Sequence, residues 1–417
     1  MSVPADHCLA GRSSAIFRLS HPVVEAMFIA SIAGSLRILW HFFGPASDTP
    51  DTLVYIDAGN ALFATGQMTS TYYMPLYPIM IHVAGYYGII WLQIIASSLT
   101  AAFVYLLADR MWNDRIAALG AGIVCAAHPV LIFYANLRLS ETVFIFLLIL
   151  GLALIYRRAF ALASIAFVLA NLCRPTLDLI FPFIVAAGAI AVGESAKSVA
   201  RKLAVYAAIY VAMMSPWWLH NEKLYGQFVR LNLAGGVTAV LENNPSFERG
   251  DLDRRIESPR ERFSSIDGDV AQDRAMMQSA MKYIVDNPLT WLRASVDRFG
   301  RLFTPWPGPN LTVAQKMACA AFLLPVFFFA VISIGINRGN MKTMVPLILP
   351  TIWIVGLHSA THATSRYRLP LDPLLIVIAA GAVSPLTRIS RGDGRSEHRN
   401  MHDRPAEIPP GVTHRLP

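Results

Sequence analysis

The chain has 417 residues, 55% of them hydrophobic and only 15% charged, with a formal net charge of +8. Soluble domains carry roughly 25% charged residues, so this composition excludes a string of ordinary globular domains. Nucleic acid is excluded as a partner too. The basic residues sit in short clusters between apolar runs, with no basic face of interleaved aromatics.

In chain order the apolar runs predict about ten transmembrane helices, over residues 22–43, 87–108, 116–134, 142–156, 159–173, 176–193, 203–220, 314–337, 343–360 and 368–386. Several are shorter than the ~20 residues that a straight helix needs to cross hydrocarbon. The first run is too long for the apolar region of a signal peptide and lacks a small-residue cleavage site, so it reads as a span. The expected fold is all-α and polytopic, with further amphipathic helices on the outer face. Residues 1–21 form an N-terminal tail, 22–386 one transmembrane domain, and 387–417 a polar, Pro/Arg-rich tail expected to be disordered. Neither an internal repeat nor a broken helix at the midplane is legible. Cys8, Cys125, Cys173 and Cys319 show no metal-ligand spacing and no disulfide partner, which leaves packing.

Lys and Arg in short loops set the orientation. Arg12 and Arg18 precede the first span, and Arg110, Arg115, Arg157, Arg158, Lys197, Arg201 and Lys202 follow at alternate ends of later ones. An even count puts them all on one side, with both termini cytoplasmic. Two longer loops, 44–86 and 221–313, then face outward, and the second holds a helical stretch from Val270 to Leu302.

The chemistry-bearing residues collect on that outer side. Asp48, Asp51 and Asp57 crowd the first loop, ahead of a short helix closed by Gly66. Asp48 or Asp51 could cap that helix. Asp51 could equally be a general base, since the helix dipole favours its ionised form. Tyr72, Tyr73 and Tyr77, with Pro75 and Pro78, form an interfacial belt or one wall of a lipid groove. Glu141 opens the fourth span, where it must be solvated, paired or metal-bound. With Asp51 it could hold a divalent cation, or Ser140 could cap the helix and leave Glu141 to the dipole. Outward-side arginines ask for a reason. For Arg37 the reading is snorkelling into head groups; for Arg366 and Arg368 it is a bound phosphate. His358 and His362 are read as packed polar groups rather than metal ligands.

Taken in order, these segments resemble the integral-membrane glycosyltransferases of the C superfamily, in particular the family-39-like bacterial enzymes related to protein O-mannosyltransferases and the lipid A aminoarabinose transferase. The resemblance runs through Asp51-Thr-Leu-Val-Tyr55, Pro75-Leu-Tyr-Pro78, Ser140-Glu-Thr142, Arg174-Pro175, Pro216-Trp-Trp-Leu-His-Asn221, Gly235-Gly236, Asn243-Asn-Pro245 and Arg366-Tyr-Arg-Leu-Pro370. Two departures stand out. Thr52 replaces the second acid that several relatives carry, which removes one candidate metal ligand, and His220 stands where relatives often have Arg.

The resemblance implies a glycosyltransferase C-type fold in the bacterial inner membrane, with its active site on the periplasmic face and a role in lipopolysaccharide or other cell-envelope glycan synthesis. It implies inverting transfer of a sugar from a polyprenyl-phosphate donor to a hydroxyl of a lipid, glycan or protein. Asp51 would be the base and Glu141 a second catalytic acid. Arg174, Arg366 and Arg368 would bind the donor phosphate. Tyr55, Tyr72, Tyr73, Tyr77, Asn243, Asn244, His358 and His362 would line the groove. No cofactor is certain; Mg²⁺ or Mn²⁺ between Asp51 and Glu141 is the one option. A transporter or flippase of lipid-linked sugars, or a ligase or polymerase of whole glycans, would share many of these features.

Overall fold

The computed structural model describes residues 21–45, 48–69, 72–245, 259–308 and 311–390. Cys8, Arg12, Arg18 and the tail beyond 390 lie outside them. Every described element is helical: α1 His21–Phe43, α2 Pro50–Thr65, α3 Leu76–Trp112, α4 Arg115–Ala126, α5 Pro129–Ala135, α6 Glu141–Tyr156, α7 Phe160–Cys173, α8 Phe181–Ala191 and α9 Ala196–Tyr225. There follow α10 Gly235–Glu242, α11 Pro259–Arg262, α12 Asp269–Asp286, α13 Pro288–Leu302, α14 Val313–Ile336, α15 Met341–Ala360, α16 Ser365–Arg368 and α17 Leu371–Ser390.

This is a polytopic membrane bundle, although its spans are less uniform than the sequence led us to expect. Among the described residues four helices are long and apolar enough to cross a bilayer: α1, α3, α14, and α15 with its preceding turn from Arg338. The predicted span 116–134 is broken, with α4 and α5 meeting at 49°. Pro129 explains the break, because a helix cannot run smoothly through the residue before a proline. The expectation of unbroken helices is corrected here. Helices α6, α7 and α8 are too short to cross unaided. They are apolar because they are central: in α6 almost every side chain is buried within the bundle. The predicted 203–220 run lies inside the 30-residue α9, which is not apolar enough to count as a span by composition.

Around α3, the longest helix, pack α1, α4 and α6, while α17 lies against α14 and α4. Its first two turns are set apart from the rest, for at Gly85 the backbone takes φ 75° and ψ 168°. That region is open essentially to glycine alone, so residues 76–84 turn away from the spanning stretch 86–112. Arg37 corrects another expectation. It does not snorkel but is wholly buried, its Nε donating to Ser97 Oγ at 2.7 Å and its Nη1 to the carbonyls of Ala33 and Ala126 at 2.9 Å each. The α4–α5 break leaves the Ala126 carbonyl without a helical partner, and the arginine supplies one. Cys125, Cys173 and Cys319 are buried free thiols, in keeping with packing.

Candidate active site

Helix α2 starts on Thr49, not on an aspartate. The Thr49 N–H donates to Thr52 Oγ1 at 3.2 Å and the two hydroxyls meet at 3.2 Å, with Pro50 in the first turn. Thr52, the departure from the family pattern, is therefore the reciprocal half of a capping pair. Asp48 is held elsewhere, by Arg138 at 2.8 Å and by the Tyr86 hydroxyl at 2.5 Å. Capping thus leaves Asp51 available in the first turn. Gly66 closes the helix at φ 74°, as predicted.

Asp51 faces Arg366, whose Nη1 reaches its Oδ2 at 2.7 Å. The same guanidinium donates through Nε to Glu141, and Arg174 Nη1 reaches that carboxylate at 2.8 Å. One chain of alternating charge therefore runs Asp51–Arg366–Glu141–Arg174. Its two acids differ in access: the side chain of Asp51 is 30% exposed and that of Glu141 2%. Ser140 makes no cap; its hydroxyl meets Tyr55 Oη at 2.9 Å and accepts from Arg174 at 3.1 Å.

Tyrosines wall this chain on one side. The Tyr55 ring lies 4.2 Å from that of Tyr73 and 4.7 Å from that of Tyr77. Burial, together with the nearby Tyr55 and Asp51, pushes the Tyr73 hydroxyl above its ordinary range, so it stays protonated and hydrogen-bonds Asp51. Tyr72 presents its carbonyl to the side chain of Asn232. Asn232 belongs to a strap, residues 229–232, that the Pro-Trp-Trp-Leu-His-Asn segment of α9 holds. Trp217 and Trp218 donate to the carbonyls of Leu231 and Arg230 at 2.8 and 3.0 Å, and Asn221 donates to Val229 and Leu231 at 2.9 Å each. His220 Nε2 accepts from the N–H of Met68 at 3.2 Å. That segment thus touches Met68 directly and Tyr72 through the strap.

The remaining predicted residues stand apart. Arg368 is wholly buried, with Nε on Asp372 at 2.9 Å and Nη1 on the carbonyls of Leu302 and Thr304. His128 stands 3.3 Å from the same Asp372. No face of Arg368 is free for a donor phosphate, which corrects its pairing with Arg366 as a phosphate ligand. Alternation along one helical turn sends the two arginines to opposite sides. His362 donates to Glu242, and His358 stacks on Tyr367 at 4.3 Å. Asn243 Oδ1 accepts from Arg298 at 2.8 Å, and Asn244 donates to the Val240 carbonyl at 2.8 Å. His362 and Asn243 thus belong to a second cluster around Glu242, and none of the four bonds a member of the carboxylate chain through these contacts.

Sequence reasoning missed that second cluster. Glu242 binds Arg298 at 3.1 Å, Arg301 and His362, and Arg298 also donates to the Ala360 carbonyl at 3.1 Å. It fastens α10 and α13 to the end of α15. The signal was present: Arg298 and Arg301 are one turn apart on an amphipathic helix, just as Glu242 precedes Asn243. Burial opposes ionisation of Glu242, yet the His362 and Arg301 hydrogen bonds prevail and hold its carboxyl down to about 2.

For a divalent cation the residues present do not fit. Among the described residues no group of three or more His, Cys, Asp or Glu is placed to hold one. Asp51 and Glu141 are the only two acids of the chain described above, and the Arg366 guanidinium already lies between them.

The fold of this bundle, with the capped helix α2 beside it, is shared with a solved oligosaccharyltransferase. No protein-family model and no curated protein matches the sequence. Among solved structures, the chain resembles the oligosaccharyltransferase AglB of Archaeoglobus fulgidus, in complex with an inhibitory peptide and a dolichol-phosphate, at 14% identity and TM-score 0.56. That alignment covers 94% of this chain and 53% of that one, so this chain spans about half the length of the archaeal enzyme. The same oligosaccharyltransferase tethered to an acceptor peptide gives 15% identity, 92% and 52% coverage, and TM-score 0.56. ArnT from Cupriavidus metallidurans, bound to undecaprenyl phosphate, is more remote, at 12% identity, 92% and 80% coverage, and TM-score 0.41.

Proposed function

We propose that this chain is a glycosyltransferase moving a hexosyl or pentosyl group from a polyprenyl-phosphate donor to a hydroxyl acceptor on the outer face of a bacterial inner membrane, with both termini cytoplasmic. The observation that carries the reading is the chain Asp51–Arg366–Glu141–Arg174, whose terminal carboxylate is open to solvent while the inner one is buried. Its fold likeness to a transferase in complex with dolichol-phosphate supports the donor class.

In this mechanism Asp51 accepts the proton of the acceptor hydroxyl as its oxygen attacks the anomeric carbon. The bond from that carbon to the phosphate oxygen breaks, its electron pair leaves with the polyprenyl phosphate, and the sugar centre inverts. Arg366 and Arg174 meet the charge that develops on the leaving phosphate through paired N–H donors. Arrival of that phosphate draws Arg366 away from Asp51, so the base is released when the donor is in place. Glu141, buried between two arginines, keeps both guanidiniums aimed at the phosphate. Tyr73 orients the Asp51 carboxylate, and Tyr55 and Tyr77 form the floor beneath. The broken α4–α5 span does not favour a transporter: its loose carbonyl at Ala126 is taken by Arg37, not left facing a cavity.

The test is single-turnover consumption of radiolabelled polyprenyl-phosphate monosaccharides by purified protein, with wild type and Asp51→Asn in parallel. Transfer from one donor by wild type alone supports the reading. If neither protein consumes any donor across a broad acceptor panel, the transferase reading fails and lipid-linked sugar flipping becomes the activity to assay.

A further inference from the structure

At the other end of the bundle lies a cavity of about 340 Å³, lined by Pro22, Val23, Leu106, Asp109, Arg110, Ala153, Tyr156, Arg157 and Arg158. Helix α6 connects the two ends: Glu141 opens it at the candidate active site and Tyr156 closes it at the cavity, a rise of about 23 Å. Nothing in the transfer mechanism uses this cavity.

Its chemistry is that of an anion site at a membrane boundary. Three guanidiniums line it against one carboxylate, Asp109. The other acids at this end have partners of their own. Glu25 binds Arg115 and accepts from Tyr105, while Glu194 accepts from Ser198 and binds Lys202 at 3.0 Å. Arg158 touches Glu194 at 3.3 Å and the Val192 carbonyl at 2.5 Å. The side chains of Arg110 and Arg157 make no hydrogen bond or ion pair among the described residues. Both are exposed and line the same cavity, and forked donors of this kind bind phosphate oxygens through paired hydrogen bonds.

Two further features narrow the ligand. The lining is divided, with Pro22, Val23, Leu106 and Ala153 apolar and the arginines opposite. Above Val23 on α1, the side chains of Val24, Met27 and Phe28 stand 50%, 56% and 62% exposed, an apolar path leading up from the cavity. Arg158 is also held at φ 60°, a left-handed conformation that favours glycine, at the end of α6. A glycine would relieve that backbone, yet a guanidinium is placed there at the cavity mouth.

We propose that this cavity seats the phosphate of an anionic phospholipid from the leaflet opposite the candidate active site, its acyl chains running along α1. The inference does not depend on the transferase reading. It is tested by native mass spectrometry of the full-length protein in detergent, offered dioleoylphosphatidylglycerol, dioleoylphosphatidylcholine or inorganic phosphate. Wild type should retain the phosphatidylglycerol at least ten-fold better than the choline lipid, and millimolar phosphate should not displace it. The double substitution Arg110→Gln with Arg157→Gln should remove that preference. Val23→Trp fills the cavity from its apolar side with the charges intact and should also lower retention, which decides the matter if the double variant does not fold. Equal retention of the two lipids, or a preference that survives in folded variants, overturns the proposal. Displacement by inorganic phosphate overturns the lipid and leaves a small-anion site.

Discussion

Two ion-pair clusters lie toward one end of the bundle, and each sets a buried carboxylate against two guanidiniums. Around Glu242, whose side chain is 4% exposed, Arg298, Arg301 and His362 use both oxygens, and Arg298 adds backbone carbonyls from α15. Around Glu141, Arg366 is shared with a second acid, Asp51, which water can reach. The first arrangement has one acid with both oxygens taken, and works as a fastener. The second has an open end, where a guanidinium can exchange a carboxylate for a phosphate without stranding a buried charge. Similar residues thus spend every guanidinium on one acid in one place and share a guanidinium with a second, water-accessible acid in the other, and that second carboxylate makes the difference.

Several substitutions would break or sharpen that contrast. Asp51→Asn should lower transfer about 100- to 10,000-fold, the usual loss for a general base, with donor binding retained in a filter-binding assay. Glu242→Gln should leave Arg298 buried without its counter-ion and destabilise the protein by about 3–5 kcal/mol in thermal unfolding. The sign of its pH dependence follows from the depressed carboxyl. The contribution is present above the ordinary value of 4.5 and is lost as the pH falls toward about 2. The stability gap between wild type and Glu242→Gln should therefore narrow below pH 4.5.

Arg366→Gln should cost about 100- to 1,000-fold in turnover, as removal of one leaving-group donor does elsewhere, and should weaken donor binding as well. Unchanged donor affinity would make Arg366 an internal counter-ion only, and the two clusters would then be alike. Thr49→Ala should destabilise by about 1 kcal/mol through loss of the cap, with a smaller drop in turnover as the Asp51 turn loosens. Finally, a chelator should leave turnover unchanged, because Arg366 already stands between the acids. A loss restored by Mg²⁺ or Mn²⁺ would mean that the guanidinium gives way to a cation.

Much of this was legible from local pattern. Apolar length announced the bundle, and the segment around Asp51 announced α2 with its glycine stop. The Val270–Leu302 stretch was read as helical, although Asn287 and Pro288 divide it into α12 and α13. Pairing was not legible, because it is a tertiary property: Arg366 and Asp51 meet across 315 residues of sequence. Nor could composition tell Arg366 from Arg368, which differ only in the side of a short turn they leave from. Arg37 was misread for a related reason. An arginine among apolar residues snorkels or is solvated internally according to whether a helix break offers carbonyls, and the partner break lies 89 residues away.

The turn at Gly85 has a consequence for the lipid around the protein. From there to Trp112, residues 86–112 run as one helix, a rise of about 40 Å, whereas the hydrocarbon layer is about 30 Å thick. The surplus length is taken up by leaning from the bilayer normal or by protruding beyond the acyl region. Membrane thickness therefore becomes a mechanical setting. A thicker sheet stands this stretch upright and a thinner one tips it over, and the 76–84 turns that pack on α2 near Gly59 rise or sink relative to the head groups accordingly.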